Sequence, residues 1–519
     1  MKPSPSSKSS RGIATAAGLI FLGNVASRLL GLARETTITY YFGATGLASA
    51  YRVADTVPRM VFDLLIGGMI SAALVPVFSD YTAPERRSEL NRLARVVFSL
   101  TLVILTAAIV ILEFFAPQVA WVLAGGFKSD LLDQVTSLLR LILPAVAFLG
   151  LSGITMGLLY ALQRFAYPAF VVAIYNASII VAALIGAERW GIASLAVGVV
   201  LGALLQVVLQ APALRGLSLR FTLDLRHPGL RQIGVLYLPV VLGLVISQAG
   251  IILDRNLASR TGEQSISWMA NATTLIQLPL GLVVTAISMA VLPSLSRQSG
   301  PAHLAEFRRT LGSGLRMVLV LILPATLGLW VLARPIIALL FEHGQFTAAD
   351  TVQTSLALQI YLLGLPCAAI DQPLIYAFYA QKDTRTPVIV GVMAIGVYLV
   401  VALLLIQPLG MLGLVVANSA QWASHVLMML WLFHTRLGGL RGERLGITTA
   451  KALLAAGLMA AATWAVTTWL LNRWGLETNL ARLAIVGSGG FIGVIAYGGL
   501  ALALGLGEVR QVVRLARLC

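Results

Sequence analysis

Apolar runs of about twenty residues recur from one end of the chain to the other, and the short stretches between them carry most of the charge. At 1.5 Å per residue, a run of that length is what a helix needs to cross bilayer hydrocarbon. The pattern predicts about fourteen spans. They fall near residues 13–33, 47–78, 91–113, 132–160, 167–187, 191–212 and 232–253, then 266–294, 309–332, 351–380, 387–407, 411–435, 448–471 and 481–505. Pro58, Pro144, Pro279, Pro366 and Pro373 predict kinks in the long second, fourth, eighth and tenth spans. The expected fold class is an all-α polytopic membrane protein.

The runs repeat. Tyr160, Ala161 and Pro168 match Tyr379, Ala380 and Pro387 at a shift of 219, as Gly191 and Leu195 match Gly410 and Leu414. Pro117 and Phe127 match Pro335 and Phe346, and Ser27 matches Ser247, at nearly the same shift. The shift spans six runs, an even number, so the two halves enter the membrane in the same sense. The expectation is two parallel six-helix repeats plus two C-terminal helices, with substrate between the repeats near the midplane. The expected division is a tail over 1–12, a lobe over 13–215 and a linker over 216–231. A second lobe over 232–436, a loop over 437–447, two further helices over 448–505 and a tail over 506–519 complete it.

Composition supports the membrane reading: 58% of residues are hydrophobic and 11% charged. The net charge of +16 is spread over short loops. That is the signature of positive-inside topology and not of a nucleic-acid surface. Arginine and lysine favour one set of loops by about three to one, which predicts that both termini are cytoplasmic. Lys2, Arg441, Arg510, Arg514 and Arg517 belong to that rich side. The first run is read as a retained span, because it continues past Arg28 and has a counterpart mid-chain. Cys367 and Cys519 make no disulfide framework, and the scattered histidines show no metal-ligand spacing. No phosphate-binding loop, nucleophile elbow or zinc motif appears, so no enzyme is expected.

The candidate chemistry lies in the first two spans. Arg52, Asp55, Arg59 and Asp63 are spaced three, four and four apart. On a helix they form one stripe of alternating sign, about 16 Å long. Charge at that depth faces a cavity, a partner or an ion path. Two readings stand: a self-neutralising ladder that locks one helix, or the lining of a cavity for a charged headgroup. Arg28 and Glu35 share a face of the first span, with Arg34 turned about a third of a circle away. The seventh span ends Asp254-Arg255-Asn256, so both repeats place an arginine beside an acid at the same helix end. Arginine forks bind phosphate bidentately, which suits a pyrophosphate. Snorkelling to outer headgroups is the competing reading for Arg34 and Arg255. Asp371 is read either as a cation site or as a hydrogen-bonded kink, Arg140 and Arg316 as snorkelling, Gly67-Gly68 as close packing, and Phe341–Phe346 as a structural turn.

With these residues in view, the chain resembles the MurJ/MviN family of lipid II flippases, of the multidrug/oligosaccharidyl-lipid/polysaccharide (MOP) superfamily. The resemblance is carried by Ser27–Glu35, Tyr41–Ala44, Ser71–Ser79, Ser267–Met269, Leu292–Ser296, Gly344–Phe346 and Asp383–Pro387. It implies a MOP-type transporter with no cofactor, carrying a lipid-linked sugar by alternating access around a cationic cavity in the bacterial plasma membrane. It also implies membrane lipids and cell-wall synthesis proteins as candidate partners, and a groove for the lipid tail at the last two helices. By the family motif Arg28 and Arg34 match cavity arginines, with Glu35 in place of the usual aspartate. The family has an acid where Ser49 stands, an arginine pair where Phe62 and Asp63 stand, and an acid and an arginine where Thr273 and Thr274 stand. Arg52 and Arg59 are read as relocated charge. No acid lies inside the seventh span, so a sodium site proposed for some relatives does not carry over. The rival readings are an exporter of another polyprenyl-pyrophosphate-linked oligosaccharide, a multidrug-type cation antiporter, and a non-transporting scaffold.

Overall fold

The computed structural model describes residues 5–215, 220–440 and 442–509. Lys2, Arg441, Arg510, Arg514, Arg517 and Cys519 lie outside them, as do parts of the expected tails and linker. Every regular element among the described residues is helical. In chain order these are α1 (Pro5–Phe42), α2 (Gly46–Ala54), α3 (Thr56–Phe62), a π-helical stretch (Asp63–Leu74) and α4 (Val75–Ser79). Then come α5 (Arg87–Phe114), α6 (Ala116–Ala124), α7 (Ser129–Ile142), α8 (Pro144–Ala161), α9 (Ala166–Ala169), α10 (Val171–Trp190) and α11 (Ala193–Gln210). The chain continues with α12 (Pro228–Ser259), α13 (Ser265–Pro279), a second π stretch (Leu280–Val284), α14 (Thr285–Arg297), α15 (Leu304–Val331) and α16 (Ala333–Phe341). It ends with α17 (Ala348–Ala380), α18 (Arg385–Leu409), α19 (Met411–Leu437), α20 (Leu445–Trp474) and α21 (Asn479–Ala503).

Eleven of the described helices are long and apolar enough to cross a membrane, and twelve if α12, bent by 51° between Leu238 and Gly243, counts as one span. The expected fourteen would need α1 and α19 as well, helices of 38 and 27 residues. The chain divides into two compact units, Met1–Ser267 and Trp268–Cys519, and α12 packs within the first.

The repeat is written into the backbone of each unit. Gln163 and Lys382, 219 apart, both take left-handed φ, at 57° and 61°. Gly191 and Gly410, at the same shift, both have φ of 55° and close α10 and α18. With ψ of −140° and −129°, that conformation is one glycine alone tolerates well.

Proline and glycine explain how the second span is shaped. Pro58 has no N–H to give the carbonyl of Ala54, and the helix breaks at Asp55 between α2 and α3. Beyond Asp63 the turn widens, so that the Val75 N–H reaches the Ile70 carbonyl five residues back. Here Gly68 admits α12: a β-carbon on it would lie 2.4 Å from Leu244 Cδ1, which bears out the close-packing reading at Gly68. Pro144 likewise separates α7 from α8, and Pro279 precedes the second π stretch.

A buried arginine–carboxylate cluster in the first unit

Glu35 is the centre of the site. It lies in α1, with its side chain 3% exposed. One carboxylate oxygen accepts from Arg34 at 2.6 Å and the other from Arg52 of α2 at 2.6 Å. Arg34 also donates to Asn176 Oδ1 of α10 at 3.1 Å, and the Asn176 amide donates to the Ser27 carbonyl at 3.1 Å. A single carboxylate and a single amide therefore tie three helices together around two arginines. The snorkelling reading of Arg34 is overturned. Its guanidinium is buried and held from both sides, because the flexible stem carries it around the helix to Asn176.

Three residues beyond Arg52, Asp55 is 1% exposed at the break after α2. It accepts from Arg59 Nε at 2.6 Å and from the Tyr175 hydroxyl at 3.4 Å. The Arg59 side chain is 51% exposed, with its Nε held by the buried Asp55. Asp63 is exposed where the π stretch begins. The stripe is thus not a self-paired ladder along one helix. Arg52 turns to Glu35 of α1, while Arg59 and Asp55 pair within the span. Arg28 is half-buried on α1, next to the Ser27 carbonyl that Asn176 holds.

Arg255 sits elsewhere, half-buried at the end of α12. That turn is pinned to α6: Asn256 donates to the carbonyls of Trp121 and Val122, at 3.3 and 2.9 Å. Sequence reasoning passed over Tyr175 and Asn176. A polar pair in the middle of the apolar run Val171–Trp190 was the available signal. At Ser49, where the resemblance leads one to expect an acid, the hydroxyl is buried and bonds to that of Ser267 at 3.0 Å.

Other expectations resolve in the second unit. Arg316 does not snorkel: it donates to Glu508 at 2.9 Å and to the Glu443 carbonyl. In the first unit, Arg140 pairs with Glu113 at 3.6 Å. The Phe341–Phe346 turn is structural. Its Glu342 accepts from Arg482 of α21 at 2.6 Å and from Thr351 at 2.5 Å. Among the described residues no group of three or more metal-ligating side chains occurs.

The fold is shared with solved transporters of the MOP superfamily. An inward-facing multidrug resistance MATE family transporter of that superfamily aligns with a TM-score of 0.65 at 14% identity, covering 80% of this chain and 95% of that one. A solved lipid II flippase MurJ, in an inward closed conformation, aligns with a TM-score of 0.78 at 24% identity over 94% of this chain and 99% of that one. The family model for the lipid II flippase MurJ matches residues 38–485, and the chain belongs to that family. The lipid II flippase MurJ of Burkholderia cenocepacia is 30% identical over 403 residues, 76% of this chain and 77% of the relative.

Proposed function

We propose that the protein is a lipid II flippase, moving the lipid-linked peptidoglycan precursor from the inner to the outer leaflet of the bacterial plasma membrane by alternating access. The observation that carries the reading is the positive excess at membrane depth. Arg28, Arg34, Arg52 and Arg59 stand against Glu35, Asp55 and Asp63, and the Arg59 side chain is half-exposed beside the buried Asp55. Fixed positive charge offers a pyrophosphate what hydrocarbon denies it. In this reading Arg28 and Arg59 touch the headgroup, Glu35 and Asp55 hold the arginines in place, and Arg34 and Arg52 supply field from within. Arg255 serves the headgroup at the outer helix end. Both termini lie in the cytoplasm, on the arginine-rich side. Membrane lipids and cell-wall synthesis proteins are the partners this role implies.

The test is complementation of a bacterium depleted of its own lipid II flippase, with outer-leaflet lipid II read by an impermeant probe and expression checked by blot. Wild type is expected to rescue. Arg59→Gln, which can still donate to Asp55, is expected to lower the outer-leaflet signal by about tenfold, the size of one lost charge-assisted contact. Rescue by Arg59→Gln at the wild-type level would make the Arg59–Asp55 pair purely structural. Failure of a well-expressed wild type would move the substrate to a different polyprenyl-pyrophosphate-linked oligosaccharide. One observation favours that second reading: the Thr273 and Thr274 hydroxyls bond back to their own helix, at Met269 and Ala270, where the resemblance leads one to expect charge.

A further inference from the structure

In the second unit lies a half-buried histidine–carboxylate pair that the proposed headgroup site does not use. His425 Nδ1 lies 2.6 Å from Asp371 Oδ1. The pair joins α19 to α17, with side chains 12% and 20% exposed. His425 sits midway along the 27 residues of α19, and Asp371 nine residues before the end of α17. Both are therefore more than about 12 Å from a helix end, at 1.5 Å per residue. An ionisable pair at that depth is costly and is placed for a function unless it is needed for packing.

Packing is already provided for. One to three turns away the same two helices meet backbone to backbone: a β-carbon on Gly364 would lie 2.9 Å from Ser419 Cα, and the Ser419 hydroxyl donates to the Ile360 carbonyl at 3.0 Å. On the far side of the imidazole, Nε2 faces Gly391 of α18, on which a β-carbon would lie 3.9 Å away. The carboxylate accepts from Nδ1, so the bare Nε2 is the nitrogen left to take a proton.

We propose that Asp371 and His425 form a proton-binding site that couples proton movement to the transport cycle; the coupling, though not the site, rests on the flippase reading above. A proton from water adds at Nε2, and the pair passes from one net negative charge to neutrality; loss of that proton to water restores it. The neutral state is the cheaper one in a low-dielectric interior, so occupancy biases any rearrangement of α17 against α19. Cys367 and Tyr379 of α17 lie within electrostatic reach of Asp371. The cations on neighbouring elements are engaged elsewhere: Arg316 of α15 by Glu443 and Glu508, Arg308 of α15 by the Leu437 carbonyl, Arg297 of α14 by Ser294, and Arg436 of α19 by Asp383. Near the ends of the packed helices lie Glu306 and Arg309 of α15, Arg334 of α16, Asp350 of α17, Arg385 of α18 and His434 of α19, and within them lie Tyr361 and Tyr376 of α17 and Tyr398 of α18.

Two measurements separate the site from the reading it serves. Full-length protein with nitrogen-15 histidine is titrated in detergent from roughly pH 5 to 8, the range over which an imidazole changes charge. The expected result is one reversible imidazole transition that is missing in His425→Gln and displaced in Asp371→Asn. An unchanging His425 signal across that range overturns the site. In vesicles, with the potential clamped at zero, a one-unit pH gradient is expected to shift the steady-state distribution of a fluorescent lipid II analogue by about tenfold per coupled proton. His425→Gln should abolish that shift. A wild type that moves the analogue indifferently to the gradient overturns the coupling and leaves the flippase reading standing. A wild type that titrates as expected but moves no analogue supports the proton site and overturns lipid II as the substrate.

Discussion

The Glu35 carboxylate is buried, and both its oxygens are spent on arginines that are themselves buried. The arrangement adds little net stability in itself, because desolvating three charges offsets their attraction. Removing the acid is a different matter, since it leaves Arg34 and Arg52 buried together with like charge. Glu35→Ala is expected to cost about 3–5 kcal/mol, the typical penalty for breaking a buried ion pair. A loss of thermal stability in detergent would show it. The double variant Glu35→Ala/Arg52→Leu should recover part of that loss, because it withdraws one stranded cation. A single variant that melts with the wild type would mean the carboxylate is not the keystone of the cluster. At this scale the sequence showed which charges exist but not whom they hold. Arg52 and Asp55, three apart, look like partners, yet the one pairs with α1 and the other with Arg59 and Tyr175.

At the scale of elements, the segment before α12 is fastened to α5. Asp224 pairs with Arg92, the Thr222 N–H donates to Ser99 at 2.8 Å, and His227 caps α12 by accepting from the Gly229 N–H at 3.1 Å. The Arg92 hydrogen bond holds the Asp224 carboxyl below its ordinary range. Burial, reinforced by the Arg92 charge, pushes the His227 imidazole below its ordinary value, and its capping role needs the neutral ring. An unfolded histidine takes its proton near about pH 6.5, so this contribution is present above that pH and lost as pH falls below it. Asp224 acts in the same direction only at lower pH, below the ordinary carboxylate value. Amide exchange over residues 220–229 should therefore be slow at about pH 7.5 and, after correction for intrinsic rate, faster at about pH 5.5. His227→Gln should flatten that dependence, and protection that is equal at both pH values in the wild type would rule the titration out. The helices themselves were legible from apolar run length, and their breaks at Asp55 and Leu143 from Pro58 and Pro144. The π stretches were not, because a widened turn depends on what packs against it, here α12 at Gly68.

Over the whole molecule, the flippase reading gives the membrane potential a direct role. An anionic headgroup leaving a negative interior gains about 2.3 kcal/mol per charge for each 100 mV. In vesicles with a potential of that size, outward movement of a lipid II analogue should slow or lose its direction when the potential is collapsed at constant pH. Movement unchanged by the collapse would leave the proton gradient as the driving force at hand. The repeat belongs to this scale too. It was readable as matched residues at a shift of 219, and it returns in the structure as matched backbone angles at Gln163 and Lys382 and at Gly191 and Gly410.

What the sequence determined by itself is what hydrophobicity and local sterics decide: that the chain is a helical membrane protein, that it is doubled, where its prolines break it, and which family it resembles. Those properties follow from each residue and its near neighbours along the chain. Tertiary structure alone decided the pairing of charges. Glu35 finds Arg52 across seventeen residues, Arg34 finds Asn176 across 142, and Asp371 finds His425 across 54. Coulomb attraction and hydrogen bonding choose partners by distance in space, and in a membrane interior no polar group can be left to water. The partner is therefore whichever helix the packing of small and apolar residues brings near, and no spacing along the chain records it.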